Sequence, residues 1–448
     1  MREHARGEDR GSDVQATDEP LGLNDMTVES KASLTESLEA LLRFGGQLLS
    51  AGHMAYRVRQ FVDELARKMH VESLALQLAL SGLVATGRRG NEYATLVREV
   101  GAPGVNTSRI RALQELVRAA PEGLAPDELH RKIDEIDRLP SRYSAGLTAA
   151  AVGTACGAFA FINGGGVAEI LAAAAGSCVG QGLRSTLLRR RFNQYAAFAV
   201  CGLVASGVYV ALAALLARAG IGVNARHAAG LISSVLFLVP GFPLVAALLD
   251  LFQHEIPVAV SRLVYAFMLC LMVALGLSVV TTWAGFAIEQ PPPLEFDRAL
   301  LAAFRSLASF IGAFGFAILF NSSLRTAVYV GLLTIIGNEI RLELHDSGLG
   351  LPQATFLGAA AVGLSASLVR RWVNEPRISL TVASVVMMVP GAYLFETLVL
   401  FSQGEILAAL RTGVSASFVL GAMAIGLAVA RFLSETTWLK EQPPVTPE

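Results

Sequence analysis

Ten long apolar stretches follow residue 142, and they constrain the fold more than any other feature of the chain. A membrane-spanning helix needs about 20 mainly apolar residues. Five stretches precede an acidic, proline-rich segment near residue 290 and five follow it: 145–162, 166–183, 196–217, 228–250 and 263–286, then 299–320, 324–340, 352–369, 378–400 and 407–432. The sequence therefore predicts a mainly α-helical, polytopic membrane protein with ten transmembrane helices.

Charged residues are distributed unevenly along the chain. Residues 1–142 contain 41 Asp, Glu, Lys and Arg, whereas the following 306 residues contain 32. In soluble proteins roughly a quarter of the residues are charged, so only the first third of the chain has the composition of a soluble domain. This distribution excludes a purely soluble enzyme. The formal net charge of −1 gives no basic excess, so the chain is not expected to bind nucleic acid.

Residues 33–142 have the periodicities of a small cytosolic α+β domain. Two amphipathic helices come first, followed by a half-buried strand in which leucines alternate with small or polar residues from Leu74 to Leu80. Turn residues then separate two further strands over 83–88 and 92–99, and two amphipathic helices close the segment.

The chain divides into six predicted segments. They are a disordered tail over 1–32, the α+β domain over 33–142, a first five-helix membrane repeat over 143–288, a linker over 289–298, a second five-helix membrane repeat over 299–435 and a tail over 436–448. The N-terminal tail lacks the apolar core of a signal peptide. Among the loops between the predicted spans and the C-terminal tail, those on the same side of the membrane as the N-terminus contain 11 Arg and Lys residues, and those on the opposite side contain 4. This bias predicts that both termini of a multi-pass plasma (inner) membrane protein are cytosolic.

The two five-helix halves resemble each other in sequence. Phe-Ala-Phe-Ile-Asn ends the first span at Asn163, and Phe-Ala-Ile-Leu-Phe-Asn ends the sixth at Asn321. Val-Pro-Gly occurs in the fourth span at Pro240 and again in the ninth at Pro390. Because five is an odd number, consecutive copies must cross the bilayer in opposite directions. The pattern predicts two inverted repeats with broken helices, a recurrent plan of secondary transporters.

The proline breaks are the predicted centre of a translocation pathway. Proline lacks the N–H that bonds four residues back, which leaves the carbonyls of Leu236, Val239 and Val386 without helical partners. The candidate pathway residues are Pro240, Gly241, Pro243, Pro390, Gly391, Asn163, Asn321 and Arg305. Carboxylates embedded in spans are costly and therefore candidates for proton coupling; they are Asp250, Glu396 and Glu169. Packing kinks and interfacial charges are the structural alternatives.

Motifs in three regions, taken in order, resemble the threonine/serine exporter (ThrE) family over nearly all of residues 33–435. These are Gly-Gly followed by Ala-Gly-His-Met-Ala-Tyr-Arg-Val within 45–58, Val-Pro-Gly-Phe-Pro-Leu with a later Leu-Leu-Asp within 239–250, and Val-Pro-Gly-Ala-Tyr-Leu-Phe-Glu over 389–396. The resemblance implies export of threonine and serine across the plasma membrane, driven by the proton gradient in an antiport.

Catalytic and cofactor motifs are missing from the sequence. No Walker A, GxSxG, HExxH or CxxC pattern occurs, so we expect neither an enzyme nor a bound metal or cofactor. The expected partners are threonine, serine and the lipid bilayer, and homo-oligomer formation is left open. Three alternatives also stay open: an exporter of a small dicarboxylate such as succinate, a membrane-anchored hydrolase with its active site in the soluble domain, and a sensor.

Overall fold

A computed structural model describes residues 33–222, 227–284, 296–373 and 375–435. The predicted tails over 1–32 and 436–448, and most of the predicted linker, lie outside the described residues. The N-terminal segment, residues 33–142, contains α1 (Leu34–Ser50), α2 (Ala55–Lys68), β1 (Ser73–Leu78), β2 (Gly82–Arg89), β3 (Glu92–Glu99), α3 (Thr107–Ala119) and α4 (Pro126–Asp137).

The N-terminal segment is built on an antiparallel sheet. The strand order is β1-β2-β3, with Leu76 opposite Ala85 and Ala85 opposite Leu96. Helix α1 starts with a capping box in which Ser33 and Glu36 each accept from the other's backbone N–H. Its apolar face, which includes Leu38 and other fully buried leucines, packs on the sheet.

The remaining helices form a bundle. In the first half they are α5 (Ala145–Ile162), α6 (Val167–Arg189), α7 (Gln194–Arg218), α8 (Ala228–Ser233), α9 (Gly241–Leu251) and α10 (Ile256–Ala284). In the second half they are α11 (Arg298–Leu319), α12 (Leu324–Asp346), α13 (Leu351–Val373), α14 (Arg377–Val385), α15 (Gly391–Ser402) and α16 (Ile406–Ser434).

The bundle identifies the chain as a helical membrane protein. Among the described residues, six helices are long and apolar enough to cross a membrane: α5, α7, α10, α11, α13 and α16. The bent pairs α8–α9 and α14–α15 raise the number to eight. Length and hydropathy therefore support six to eight of the ten predicted spans. The other two, α6 and α12, have 23 residues each but carry more charged and polar side chains.

The two halves match element by element. Helices α6 and α12 have the same length and begin 157 residues apart, at Val167 and Leu324. Helices α10 and α16 have 29 residues each and begin 150 residues apart, at Ile256 and Ile406. Each half also contains one broken pair of short helices with a 3₁₀ turn before the break.

Both predicted proline breaks are present. The chain bends by 66° between α8 and α9 and by 47° between α14 and α15. The carbonyls that lose a helical partner accept instead from an N–H group two or three residues further along the chain. Val239 N donates to the Leu236 carbonyl at 3.0 Å, and Val389 N donates to the Val386 carbonyl at 3.2 Å. The Val239 carbonyl accepts from Gly241 N at 2.8 Å. The breaks therefore satisfy these carbonyls through tight local turns.

Glycine lets the two breaks touch. A Cβ on Gly391 would lie 2.8 Å from Leu236 and 3.0 Å from Val239, and a Cβ on Gly241 would lie 3.3 Å from Val389. The first two separations are shorter than or at the limit of ordinary carbon contacts. The crossing of the two halves therefore depends on the missing side chains.

Contact between the halves also depends on Gly315 in α11, where a Cβ would overlap the carbonyl oxygen of Ala151 in α5. We expect Gly315→Ala to lower the free energy of unfolding by about 1–3 kcal/mol through overpacking, measured as a lower thermal midpoint in detergent. Gly182→Ala in α6 is the matched control, because a Cβ there meets nothing within 4 Å. Equal midpoints for the two variants would contradict this packing.

Candidate functional site

A cavity of about 130 Å³ lies where the two broken helices cross. Its lining combines the breaks themselves, apolar side chains from both halves and one loop of the N-terminal segment. The lining residues are 103–105, Phe159, Arg184, Gln194, Phe198, 236–243, Tyr265, Leu269, Phe316, Leu319, Phe320, Val386, Val389 and Gly391. Both halves are needed to form the cavity.

Arg184 is the one charged side chain among the described residues that line the cavity. Its guanidinium lies over the Phe198 ring, 5.0 Å from the centroid, and its Nη1 donates to the Gln181 side chain at 3.3 Å. Its Nε is buried without a hydrogen-bond partner, and no ion pair to it is found in the described part of the chain. Because a partly buried guanidinium without a counter-charge is costly, this position favours an anionic ligand group.

The N-terminal segment covers the cavity on one side. The covering loop, Pro103–Val105, connects β3 to α3. Gly104 N donates to the Ser50 carbonyl at 2.9 Å, which fixes the loop to the end of α1. Gly52 has a φ of +96°, and a Cβ there would lie 2.7 Å from the Gly104 carbonyl oxygen. The loop is therefore held against α1 as it reaches the cavity.

Asp250, predicted for proton coupling, lies in the interface with the N-terminal segment. Its carboxylate is fully buried and pairs with Arg262 at 2.7 Å. Its second oxygen accepts from the backbone N–H of Ala55 at 2.8 Å, while Arg262 donates to the His53 carbonyl. The first N–H groups of a helix lack helical partners, so the start of α2 binds the carboxylate at the end of α9.

A second anchor surrounds Glu435, at the end of α16. Arg57 of α2 lies 3.5 Å from its carboxylate, Arg377 and Arg370 lie at 3.1 Å, and Arg431 lies at 3.0 Å. Burial opposes ionisation of Glu435, but the surrounding guanidinium groups outweigh it and hold its pKa at about 2. The carboxylate therefore stays charged and joins α2 to three helices of the second half.

The two predicted asparagines lie away from the cavity lining. Asn321, with a φ of +60°, donates to the Asn106 side chain at 3.1 Å and accepts from Arg142 N at 2.9 Å, so it also contacts the N-terminal segment. Asn163 follows α5 and donates to Ser233 at 3.4 Å. Of the predicted pathway residues, the ones in the lining are Pro240, Gly241, Pro243 and Gly391.

The remaining predicted charges have different surroundings. Glu169 is buried and accepts from Gly166 N at 2.9 Å, which caps the start of α6. Arg305 makes an ion pair with Asp346 and is not in the cavity lining. Glu396 is half-buried on α15, and the structure gives it no hydrogen bond or ion pair within the described residues.

Sequence reasoning missed Arg184 because the predicted second span ended one residue earlier and the arginine was counted in a loop. Helix α6 continues to Arg189, which places Arg184 inside the bundle. Among the described residues, no group of three or more His, Cys, Asp or Glu side chains is placed to hold a metal ion.

His53 is buried at the same interface. Its Nδ1 accepts from the backbone N–H of Met54 at 2.8 Å, and its Nε2 lies 2.7 Å from the side-chain amide of Gln114. A proton on Nδ1 would point at the Met54 N–H. Because Nδ1 accepts a hydrogen bond, the neutral imidazole carries its proton on Nε2. That N–H donates to the side-chain amide of Gln114, which then turns its oxygen rather than its nitrogen toward the ring.

The buried, neutral His53 is expected to make the folded protein less stable at low pH. Burial, together with the nearby charges of Arg57, Arg262 and Arg431, lowers the pKa of His53 well below 6.5. In the unfolded chain His53 binds a proton near pH 6.5, whereas in the folded protein it stays neutral at that pH. Its contribution to stability is therefore retained above pH 6.5 and lost below it. We expect His53 to contribute about 1 kcal/mol of destabilisation on going to pH 5.5, because one pH unit corresponds to 1.4 kcal/mol.

The test compares thermal midpoints at about pH 7.5 and 5.5 for the unmodified protein and for His53→Gln. The variant should lose part of the pH dependence. His70→Asn is the matched control, because His70 is exposed in a left-handed conformation that asparagine tolerates. An equal pH dependence in His53→Gln and the unmodified protein would contradict the assignment.

A helical bundle with a small cavity at the crossing of two broken helices defines a class: polytopic membrane transport proteins. Residues 39–284 match a family model of the threonine/serine exporter ThrE. Residues 305–433 match a second family model, which also describes the threonine/serine exporter ThrE. The chain therefore belongs to the ThrE family of threonine/serine exporters.

Three curated relatives illustrate the range of the family. The chain is 27% identical to the "Probable succinate transporter subunit YjjP" of Klebsiella aerogenes, over 53% of this chain and 90% of the relative. It is 26% identical to the protein of the same name from Escherichia coli, over 56% and 97%. It is 23% identical to the "Probable threonine/serine exporter" of Mycobacterium tuberculosis, over 82% and 70%. No solved structure matches the chain.

Proposed function

We propose that the chain exports small hydroxy amino acids, threonine and serine, across the plasma membrane by proton-coupled antiport. The observation that carries this proposal is the cavity at the crossing of the two breaks, with Arg184 as the charged group in its described lining. Membership of the ThrE family supports export as the activity.

Cavity size favours a small solute. A protein cavity of roughly 150 Å³ holds a benzene-sized molecule, and this cavity measures about 130 Å³. Threonine and succinate are both of that order, so size supports a small metabolite without choosing between these two.

Charge favours the amino acid over the dicarboxylate. Arg184 supplies one cation for one carboxylate, and helix ends at the breaks supply partial charges that suit an ammonium and a carboxylate. Gln194 and Tyr265 add neutral hydrogen-bonding groups for a hydroxyl. A dicarboxylate would leave its second carboxylate without a cation in the described lining. The succinate alternative is supported by the names of the two YjjP relatives.

Interface contacts support inverted repeats and ten crossings. The N-terminal segment contacts the bundle near Asp250, Asn321, Glu375 and Glu435, which marks one side of the bundle. Helix α5 begins on that side, shortly after Tyr143, whereas its counterpart α11 ends there, just before Asn321. The two halves then run in opposite directions, and α6 and α12, the second and seventh predicted spans, complete the set of ten. The loop arginine bias supports a cytosolic location for this side and both termini.

Glu396 is the best candidate for proton coupling. Asp250 is already ion-paired and Glu169 caps a helix, whereas Glu396 is half-buried six residues after Pro390, with no partner in the described structure. We expect Glu396→Gln to lower the threonine accumulation that a pH gradient drives by at least about tenfold. Exchange of threonine across the liposome membrane should persist. Glu405→Gln, at the exposed start of α16, is the control. Full pH-driven export by Glu396→Gln would remove the residue from the mechanism.

Counterflow tests the proposed function. The purified full chain in proteoliposomes loaded with threonine should take up labelled threonine and serine, and added succinate should not compete. Succinate counterflow without threonine counterflow would favour the alternative. Counterflow of none of the three would overturn transport of these solutes by this chain alone. The cavity draws its lining from both matched segments, which supports activity without a second kind of subunit.

A further inference from the structure

Arg184 has a counterpart in the second half. Helices α6 and α12 begin 157 residues apart, and the same offset relates Gly180 to Gly337, Gln181 to Asn338 and Arg184 to Arg341. Each arginine therefore follows the start of its helix by 17 residues.

The two arginines also share their local contacts. Arg184 donates through Nη1 to the Gln181 side-chain oxygen at 3.3 Å, and Arg341 does the same to the Asn338 oxygen at 3.0 Å. In both arginines the Nε is buried without a hydrogen-bond partner.

Each arginine lies one helical turn beyond a glycine that packs on the break of its own half. A Cβ on Gly180 would lie 2.8 Å from Phe237, in the 3₁₀ turn before α9. A Cβ on Gly337 would lie 2.6 Å from Met388, in the 3₁₀ turn before α15. The relation of the arginine to the break is thus repeated in the second half.

The two positions are at different depths. Arg184 lines the cavity together with Val105 of the N-terminal segment. Helix α12 begins on that same side, where Thr326 and Arg111 both contact Glu375. Arg341 is 17 residues further along α12 than its start at Leu324, or about 25 Å at 1.5 Å per residue. Arg341 therefore lies towards the far side of the bundle.

Arg341 has polar neighbours but makes no ion pair in the described part of the chain. Asn338, which holds its guanidinium, is fully buried and also donates to Ser309 at 2.8 Å. Tyr393, in the first turn of α15, is close enough to interact with it electrostatically. At the 150-residue offset of the breaks, Tyr393 corresponds to Pro243, which lines the cavity beside Arg184.

We propose that Arg341, with Asn338 and Tyr393, forms a second carboxylate-binding site, which holds the transported solute when the pathway opens to the far side. The inference rests on the proposed function. Arg184 binds the carboxylate of the solute on the side of the N-terminal segment, and Arg341 binds it on the opposite side. Because inverted repeats cross the membrane in opposite directions, an arginine near one face in the first half has its counterpart near the opposite face in the second half.

The experiment measures threonine counterflow from each face separately, in proteoliposomes with the full chain inserted in one orientation. We expect Arg341→Gln to raise the apparent KM at the far face at least about tenfold, because a charge-assisted hydrogen bond to carboxylate is lost. The KM at the face of the N-terminal segment should change less than about twofold. Arg341→Lys should retain part of the affinity. Arg325→Gln, at the exposed start of the same helix, is the matched control.

The outcomes separate this site from the proposed function. Suppose that the unmodified protein exchanges threonine, and that Arg341→Gln or Arg341→Lys raises the apparent KM equally at both faces or at neither. The second site is then wrong, and the proposed transport function stands. If Arg341→Gln does not fold, the face selectivity of Arg341→Lys decides. If the unmodified protein exchanges neither labelled threonine nor labelled succinate, the proposed function is overturned and this inference is overturned with it.

Discussion

Arg184→Gln is expected to weaken threonine binding from the side of the N-terminal segment by roughly 10- to 100-fold, because hydrogen bonds to charged groups contribute about 1.5–3 kcal/mol. The guanidinium is the charged group in the described cavity lining, and its Nε is buried without a partner. Arg184→Lys should give an intermediate loss, since lysine keeps the charge but not the planar fork. Apparent KM in face-specific counterflow is the measurement.

Stability separates a binding role for Arg184 from a structural one. A partly buried cation without an ion-pair partner costs free energy, so Arg184→Gln should leave the thermal midpoint unchanged or raise it while transport falls. Arg189→Gln, at the exposed end of the same helix, should change neither quantity. Unchanged transport in Arg184→Gln, or a loss of transport matched by a loss of stability, would contradict the assignment.

Arg262→Met is expected to destabilise the protein by about 3–5 kcal/mol, because it leaves the Asp250 carboxylate buried without its ion-pair partner. The N-terminal segment should then become accessible to protease, since Asp250 also accepts from Ala55 N in that segment. Thermal midpoints in detergent and limited proteolysis are the measurements.

A second substitution tests whether charge burial is the cause. Asp250→Asn combined with Arg262→Met removes both charges, and it should recover much of the stability lost in the single variant. Arg57→Gln is the control at the interface with the N-terminal segment, because Arg57 is partly exposed and lies 3.5 Å from Glu435. That carboxylate keeps three other arginine partners, so little stability should be lost. Equal stability of Arg262→Met and the unmodified protein would show that this ion pair does not hold the segment.

Local patterns in the sequence predicted most of the helices and strands. The leucines that alternate with small or polar residues lie in β1 and just after it, and the first predicted amphipathic helix is α1. The breaks at Pro240 and Pro390 also follow from the sequence, because a residue without a backbone N–H interrupts a helix whatever surrounds it. The Val-Pro-Gly motifs likewise located part of the cavity lining.

The functional surroundings of the charged residues were decided only by the tertiary structure. Asp250 and Glu396 are both acids on the second helix of a broken pair, yet one is ion-paired beneath the N-terminal segment and the other has no partner in the described residues. Arg184 became a cavity residue because α6 extends further than its apolar stretch and Phe198 packs against it. Apolar length and periodicity are local properties that a sequence shows directly. The partner of a buried charge is fixed by contacts between segments that are far apart in sequence, 195 residues for Ala55 and Asp250 and 378 residues for Arg57 and Glu435. These contacts exist only once the chain has folded.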